Sequence, residues 1–215
     1  MSFPLNNNSP TIIAITGASA SGKSLFAQTI YNELLPELGD TGISIIKEDA
    51  YYRDQSEIAI IDRVKTNYDH PDAFEHSLLS QHLQHLIANK SVNCPVYCYK
   101  THTRTEEFIK LQPTKIILVE GILLFSNTQL RECFNIKVYM DTPLDICLIR
   151  RIKRDTAERE RSITSITEQY LNTVRPMYYQ YIEPSKYFAD LVITKGGKNR
   201  MAIEVIKAKI RQLTQ

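Results

Sequence analysis

The 215-residue sequence predicts an α/β fold in which helices flank a parallel sheet, and three observations carry that expectation. Short continuous apolar runs recur along the chain, as strands buried on both faces of a parallel sheet require. Stretches with apolar residues at three- and four-residue spacing lie between those runs. The first run also passes through a glycine-bearing turn directly into one of these helical patterns, the strand-turn-helix unit from which such sheets are built.

In chain order, residues 1–10 read as a flexible tail, because three consecutive Asn and two Pro offer nothing periodic to bury. Ile12, Ile13, Ala14 and Ile15 form the first strand. From Gly22, the residues Leu25, Phe26, Thr29, Ile30 and Leu34 repeat at helical spacing, and Pro36 and Gly39 are expected to stop that helix. Further strands are expected at Ile43 to Ile46, Ile116 to Val119, Ile136 to Met140 and Leu191 to Thr194. Leu78, Leu79, Leu83, Leu86 and Ile87 mark a helix within Glu75 to Asn89. Thr142-Pro143-Leu144-Asp145 reads as a helix start with Thr142 as N-cap, Pro143 at N1 and Asp145 at N3. Residues 91–112 break the rhythm with short apolar bursts and are expected to form a small antiparallel hairpin. With no internal repeat and no linker, 11–215 reads as a single domain with an inserted hairpin flap at about 91–112. The Tyr-rich stretch Tyr170 to Tyr187, punctuated by Pro176 and Pro184, reads as core or subunit contact. His70 is expected to brace its loop, and His76, His82 and His85 to be structural or exposed.

Composition narrows the function. Lys and Arg number 26 against 24 Asp and Glu, a net charge of +2, which argues against nucleic acid or an anionic membrane as the main partner. The longest apolar run, Ile116 to Phe125, is split by Glu120 and Gly121 and is too short to span a bilayer. The N-terminal residues lack a basic and then apolar leader, so a cytoplasmic location with reduced thiols is expected. Cys94, Cys98 and His102 fall at steps of four, which suits a metal; a second ligand pair is missing, which favours buried or half-buried thiols, as for Cys133 and Cys147.

Gly17-Ala18-Ser19-Ala20-Ser21-Gly22-Lys23-Ser24 satisfies G-x-x-x-x-G-K-[ST] between a strand and a helix, the context a phosphate-binding loop needs. The loop turns backbone N–H groups onto phosphate oxygens, Lys23 reaches the terminal phosphates, and Ser24 offers a hydroxyl to Mg²⁺. The fold expectation thus becomes a P-loop NTPase-type sheet. Glu120, at the end of the Ile116 strand, sits where doubly wound sheets bind ligands and is a metal-site candidate; bracing a loop is the alternative. Asp49, just past the Ile43 strand, is a candidate base for phosphoryl transfer to a hydroxyl, against a plain turn former. Arg150, Arg151, Lys153, Arg154, Arg159 and Arg161 form a basic series. At 100° per residue, Arg150, Arg154 and Arg161 fall within about 40° of one another. That suits an arginine-rich helical lid over a triphosphate at about 150–165; a solvated face paired with Asp155, Glu158 and Glu160, or an RNA-binding stripe, are the alternatives.

Beside the P-loop stand EDAYYRDQS (48–56), NYDHPDAFEH (67–76), PVYCYKTHTR (95–104), ILVEGILLF (117–125), DTPLDICLIRRIKRD (141–155), QYLNTVRPMYYQYIEPSKYFADLVI (169–193) and GGKNRMAIE (196–204). Together these resemble the uridine kinase (uridine-cytidine kinase) family, most closely its bacterial members, over nearly the whole chain beyond the tail. The resemblance implies transfer of the γ-phosphate of ATP or GTP to the 5′-hydroxyl of uridine or cytidine in pyrimidine salvage, with Mg²⁺, in a homotetramer. It also implies roles for particular residues. Asp49 would be the base and neighbour the metal held by Ser24 and Glu120. Tyr52 would lie beside the nucleoside, Asp69 would accept from the ribose hydroxyls, and Tyr97, Tyr99 and His102 would form the base pocket. Arg151 and Arg161 would reach the acceptor or the transferred phosphoryl, Arg154 and Arg159 the ATP, and Gln169 would face the nucleoside. Two departures stand out: Glu160 replaces the Gly of the usual ERGR lid sequence, and Ala50 stands where Ser is common. By helical geometry Glu160 would lie about 120° from Arg154. Other P-loop kinases, of the phosphoribulokinase or pantothenate kinase type, share the loop but not the NYDHP and PVYxYxxHTR pair; a nucleotide-responsive RNA-binding protein is the rival from another class.

Overall fold

The computed structural model describes residues 9–215, so most of the expected tail lies outside the described residues. Its strands are β1 (Thr11–Gly17), β2 (Ile43–Lys47), β3 (Val92–Cys98), β4 (Thr103–Leu111), β5 (Ile116–Glu120), β6 (Ile136–Asp141) and β7 (Leu191–Thr194). Between them run the helices α1 (Lys23–Leu38), the single turn α2 (Ile60–Arg63), α3 (His76–Ile87), α4 (Thr128–Cys133), α5 (Leu144–Glu158) and α6 (Ile163–Gln169). Two π-helical turns link α6 to the short pieces α7 (Arg175–Met177) and α8 (Glu183–Ser185), and α9 (Arg200–Thr214) closes the chain.

β1 is buried along its whole length because it is the middle strand of a five-stranded parallel sheet ordered β2-β5-β1-β6-β7. Successive side chains of a strand face opposite sides, and each side of β1 meets a different set of helices. Ile13 and Ile15 pack with Phe26, Ile30 and Leu34 of α1 and Ile203, Ile206 and Ile210 of α9. Ile12 and Ala14 pack with Leu79, Leu83 and Leu86 of α3, together with Phe125, Leu130 and Phe134. The apolar runs read as strands therefore serve two cores at once, which is why they are unbroken rather than alternating.

β3 and β4 pair separately as the antiparallel hairpin expected at 91–112, from Val92 opposite Leu111 to Cys98 opposite Thr103. Its register slips between Pro95 and Tyr97, at the residue that has no N–H to give to a ladder.

Several helix ends depart from expectation. Pro36 lies inside α1, whose end is set by Gly39, with its N–H on the Leu35 carbonyl at 2.9 Å; Pro36 sits so near the end that its missing donor costs the helix little. Thr142 does not cap α5. Pro143 occupies the cap position, and the Thr142 hydroxyl instead donates to the Ser21 carbonyl of the P-loop at 2.8 Å. The arginine series is also not one helical face. α5 stops at Glu158, Glu160 adopts φ 54°, and the Arg161 N–H returns to the Asp155 carbonyl at 3.1 Å. Arg161 thus reaches Asp155 by a reversal of the chain, and the 120° placement of Glu160 does not apply. Ser162 then caps α6, its side chain accepting from the Ser165 N–H. In the Tyr-rich stretch, Tyr178 and Tyr181 pack against a cluster around Tyr52, Phe74 and Tyr139, while Tyr187 is exposed.

The P-loop itself demands glycine at Gly22. Its φ is 103°, and a Cβ there would sit 2.5 Å from the Gly197 backbone nitrogen. Glu160 is the opposite case, a side chain in left-handed backbone with exposed surroundings. The expected outcome is that Gly22→Ala loses more than about 1 kcal/mol of stability, whereas Glu160→Gly gains up to about 1 kcal/mol by relieving the left-handed penalty. Urea unfolding midpoints of the two variants check both signs.

Candidate active site

Every strand of the sheet is parallel, so the carboxyl ends lie along one edge, and that edge receives the chemistry. β1 runs into the P-loop, β2 into the 48–51 turn bearing Asp49, and β5 ends on Glu120. Ile15 of β1 and Lys47 of β2 both pair with Glu120, so the three ends align. The hairpin adds Tyr97, Tyr99 and His102 from one side, α5 and its continuation add arginines from the other, and the 67–74 loop adds Asp69. Together they line one cleft of about 370 Å³, along with Tyr68, Ile122, Gln169 and the P-loop residues Ser19, Ala20, Gly22, Lys23 and Ser24. Gly17, Ala18 and Ser21 of the predicted set do not face it; they shape the loop from behind.

Within the loop, buried Lys23 donates from Nζ to the Ala18 carbonyl at 3.2 Å, and the Ser24 hydroxyl donates to Glu120 Oε2 at 2.9 Å. Burial pushes the Glu120 carboxyl above the usual carboxylate range; Lys23 opposes this and the charge of Asp49 adds to it. Burial raises Asp69 too, with Arg151 opposing. For both acids the cost of burial outweighs the cations that face them. A hydroxyl and carboxylates, all oxygen donors, are the set Mg²⁺ prefers when substrate phosphates and water complete its shell. Among the described residues no three His, Cys, Asp or Glu form a metal cluster, and the four thiols are free. Of the spaced Cys94, Cys98 and His102, Cys94 lies 3.5 Å from the Tyr51 hydroxyl while His102 lines the cleft.

A wall of rings forms the hairpin side. Tyr52 stacks on Phe74 at 4.2 Å between centroids, tilts against Tyr97 at 4.9 Å and meets Tyr68 edge-on at 5.2 Å. Tyr68 in turn stacks on His102 at 5.4 Å. Burial, and then the charges of Arg161 and Arg159, lower the His102 pKa, which keeps the ring neutral at pH 7. Tyr99 extends this wall edge-on to Tyr97 at 5.3 Å, and its O–H donates to Asp49 Oδ2 at 2.7 Å.

Among the arginines Asp155, which the solvated-face alternative would leave exposed, is fully buried. Arg154 lies 2.8 Å from it, and Arg151, Arg159 and Arg161 lie at 3.6, 3.7 and 3.8 Å. Burial alone would raise the Asp155 pKa; the hydrogen bond and charge of Arg154, with Arg151 and Arg159, outweigh it and hold the carboxyl below its ordinary value. Gln169 Oε1 accepts from both Arg151 Nη2, at 2.9 Å, and Arg161 Nη1, at 2.7 Å, while Arg151 Nη1 reaches Ser19 Oγ at 3.1 Å. One carboxylate and one amide oxygen thus gather the guanidiniums over the P-loop.

Sequence reasoning missed Asp155 as a hub. It also missed the pair behind Asp49: His76 Nε2 lies 2.9 Å from Glu48 Oε1, and Glu48 Oε2 accepts from the Leu123 N–H at 2.9 Å. The available signal for Asp155 was its place within the basic series, four residues from both Arg151 and Arg159. The role expected of His70 holds, since its Nδ1 accepts from the Asp72 N–H and its Nε2 lies 2.9 Å from the Tyr181 hydroxyl.

A parallel sheet with a P-loop at its centre, carboxylates at two neighbouring strand ends and an arginine cluster facing them define a P-loop kinase. Residues 12–202 match the sequence profile of the "Phosphoribulokinase / Uridine kinase family", and the chain belongs to that family. Proteins named uridine kinase from Tolumonas auensis and Erwinia tasmaniensis are each 56% identical to it, over 202 and 201 residues, with 94% of each chain covered. The phosphoribulokinase from Rhodobacter spheroides shares the fold at a TM-score of 0.68 and 16% identity, covering 88% of this chain and 71% of its own.

The Asp155 carboxylate is more acidic folded than unfolded, so the unfolded chain takes up the proton first as pH falls. Its contribution is present above 3.8, the ordinary value, and is lost as pH drops through the lower folded value. Asp155→Asn leaves the surrounding guanidiniums without their counter-charge; the expected loss is about 3 kcal/mol at pH 7. It should also show a shallower fall in stability below pH 4 than the parent, measured by urea unfolding across pH.

Proposed function

We propose that this chain is a uridine/cytidine kinase, transferring the γ-phosphoryl group of ATP or GTP to the 5′-hydroxyl of uridine or cytidine to give UMP or CMP. The observation that carries the reading is that one cleft is lined by Lys23 and Ser24 of the P-loop, by Asp49, and by the rings of Tyr52, Tyr68, Tyr97, Tyr99 and His102.

Lys23 and the amides of the cleft-facing loop residues Ser19, Ala20, Gly22 and Ser24 bind the triphosphate, and retracting Lys23 from the Ala18 carbonyl frees its charge for phosphate. The pyrimidine lies against the rings of Tyr52 and Tyr97, with His102 presenting a ring nitrogen to its edge. Asp69, an acceptor only, takes hydrogen bonds from the ribose hydroxyls. Asp49 accepts the proton of the 5′-hydroxyl as that oxygen attacks the γ-phosphorus, and Arg151 and Arg161, aligned by Gln169 and Asp155, stabilise the charge on the moving phosphoryl group. Arg154 and Arg159 neutralise the donor phosphates. Ser24, Glu120 and Asp49 would hold Mg²⁺, which supplies charge neutralisation at the β- and γ-phosphates. Residues 11–215 act as one kinase domain, with the 91–112 hairpin as substrate flap and 150–165 as lid. The setting is pyrimidine salvage in the cytoplasm, by a homotetramer whose partners are small molecules. No helix of the described residues is long and apolar enough to cross a membrane.

With ATP and Mg²⁺, the pure protein should release ADP in proportion to added uridine and far less with thymidine or adenosine; no uridine-dependent release contradicts the proposal. Asp49→Asn should keep triphosphate binding while turnover falls about 10²- to 10⁴-fold, as read by coupled assay beside equilibrium nucleotide binding. Unchanged turnover removes Asp49 from the base role.

A further inference from the structure

Tyr99 stands at the edge of the ring wall, where it meets Asp49 and the arginines. It lies in the turn just beyond β3, 43% exposed, with its ring edge-on to Tyr97 at 5.3 Å. Its two ends are both engaged, by two different parts of the machinery. The O–H donates to Asp49 Oδ2 at 2.7 Å, and the Arg159 guanidinium carbon lies 4.6 Å over the ring centroid. Arg159 also reaches buried Asp155, at 3.7 Å. The turn carrying the acid, the hairpin and the lid therefore meet on a single side chain.

We propose that Tyr99 is a positioning residue that orients Asp49 and ties that orientation to closure of the lid. An aspartate's terminal torsion is broad and twofold, so an unrestrained carboxylate samples many orientations. A charge-assisted hydrogen bond to Oδ2 removes that freedom and leaves Oδ1 to accept from the acceptor hydroxyl. Arg159 holds the ring by cation–π attraction, which exists only when the segment after α5 lies over the hairpin. Asp49 is thus fully aligned when the lid arginines are seated over the phosphates, and less so when the lid swings away. Stacking against the pyrimidine, the role the family resemblance implies for Tyr99, would use the ring alone and leave the hydroxyl without a purpose.

The inference rests on the proposed kinase activity, and the test separates the two. Tyr99→Phe keeps the ring and removes only the hydroxyl. Its kcat should fall about tenfold to a hundredfold, the worth of one hydrogen bond to a charged group, with KM for uridine within about threefold and an unchanged melting temperature. In an Asp49→Asn background, followed by single turnover, Tyr99→Phe should have no further effect, because the two residues act as one unit. Tyr99→Leu should add a rise of about threefold or more in KM for ATP, as Arg159 loses its platform. An unchanged kcat for Tyr99→Phe, a rise in uridine KM with kcat intact, or a full independent loss in the Asp49→Asn background each overturns the inference while leaving the kinase reading standing. A parent chain that releases no ADP with any nucleoside overturns both.

Discussion

The structure depends on one constraint, that the five core strands are parallel and in register with β1 at the centre. Parallel strands put all their carboxyl ends on one edge, and each end is where a chain leaving the sheet must turn. The register that sets Glu120 beside both Ile15 and Lys47 therefore brings the start of the P-loop, the acid of β5 and the turn carrying Asp49 to one place. Burying β1, β5 and the apolar helix faces stabilises this arrangement, so the same apolar contacts that fold the chain aim the polar groups. A slip of one residue in β5 would turn Glu120 into the core and Val119 toward the cleft.

Charge is managed more locally than the near balance of acids and bases suggests. Asp49, Asp69 and Glu120 face the cleft from the sheet side, and Arg151, Arg154, Arg159 and Arg161 face it from the other. Four guanidiniums at close range repel one another, and a carboxylate buried among them offsets that repulsion, so that removing it would leave uncompensated charge. Asp155 does this, assisted by the Gln169 amide oxygen that accepts from two of the arginines. On the proposed function, this gathers the guanidiniums before phosphate arrives, the preorganisation that electrostatic catalysis requires.

The strands, the two-sided core and the P-loop were legible because each is written in local pattern: unbroken apolar runs, helical spacing, and glycines where φ is left-handed. The hairpin was legible as a break in that pattern. Where local geometry was extended past a helix end, the reading failed. Arg161 was placed by helical angle, yet the chain leaves the helix at Glu158 and reverses at Glu160, so contact with Asp155 comes from the turn. Thr142 looks like an N-cap by residue type, but a tertiary acceptor, the Ser21 carbonyl, takes its hydroxyl instead. The Glu48–His76 pair and the bond from Tyr99 to Asp49 join residues far apart in the chain, which no spacing rule encodes. Asp155 does pair at i,i+4 with Arg151 and Arg159, but its burial is set by tertiary packing.

The claim that one cleft seats a nucleoside and a triphosphate on opposite sides of Asp49 is tested most directly by a crystal structure of the protein with uridine and a non-hydrolysable ATP analogue. The account predicts the 5′-oxygen within hydrogen-bond distance of Asp49, the pyrimidine against Tyr52 and Tyr97, and the triphosphate along Gly17 to Ser24 under the lid arginines. A nucleoside bound away from Asp49, or a triphosphate seated outside the loop, would contradict it.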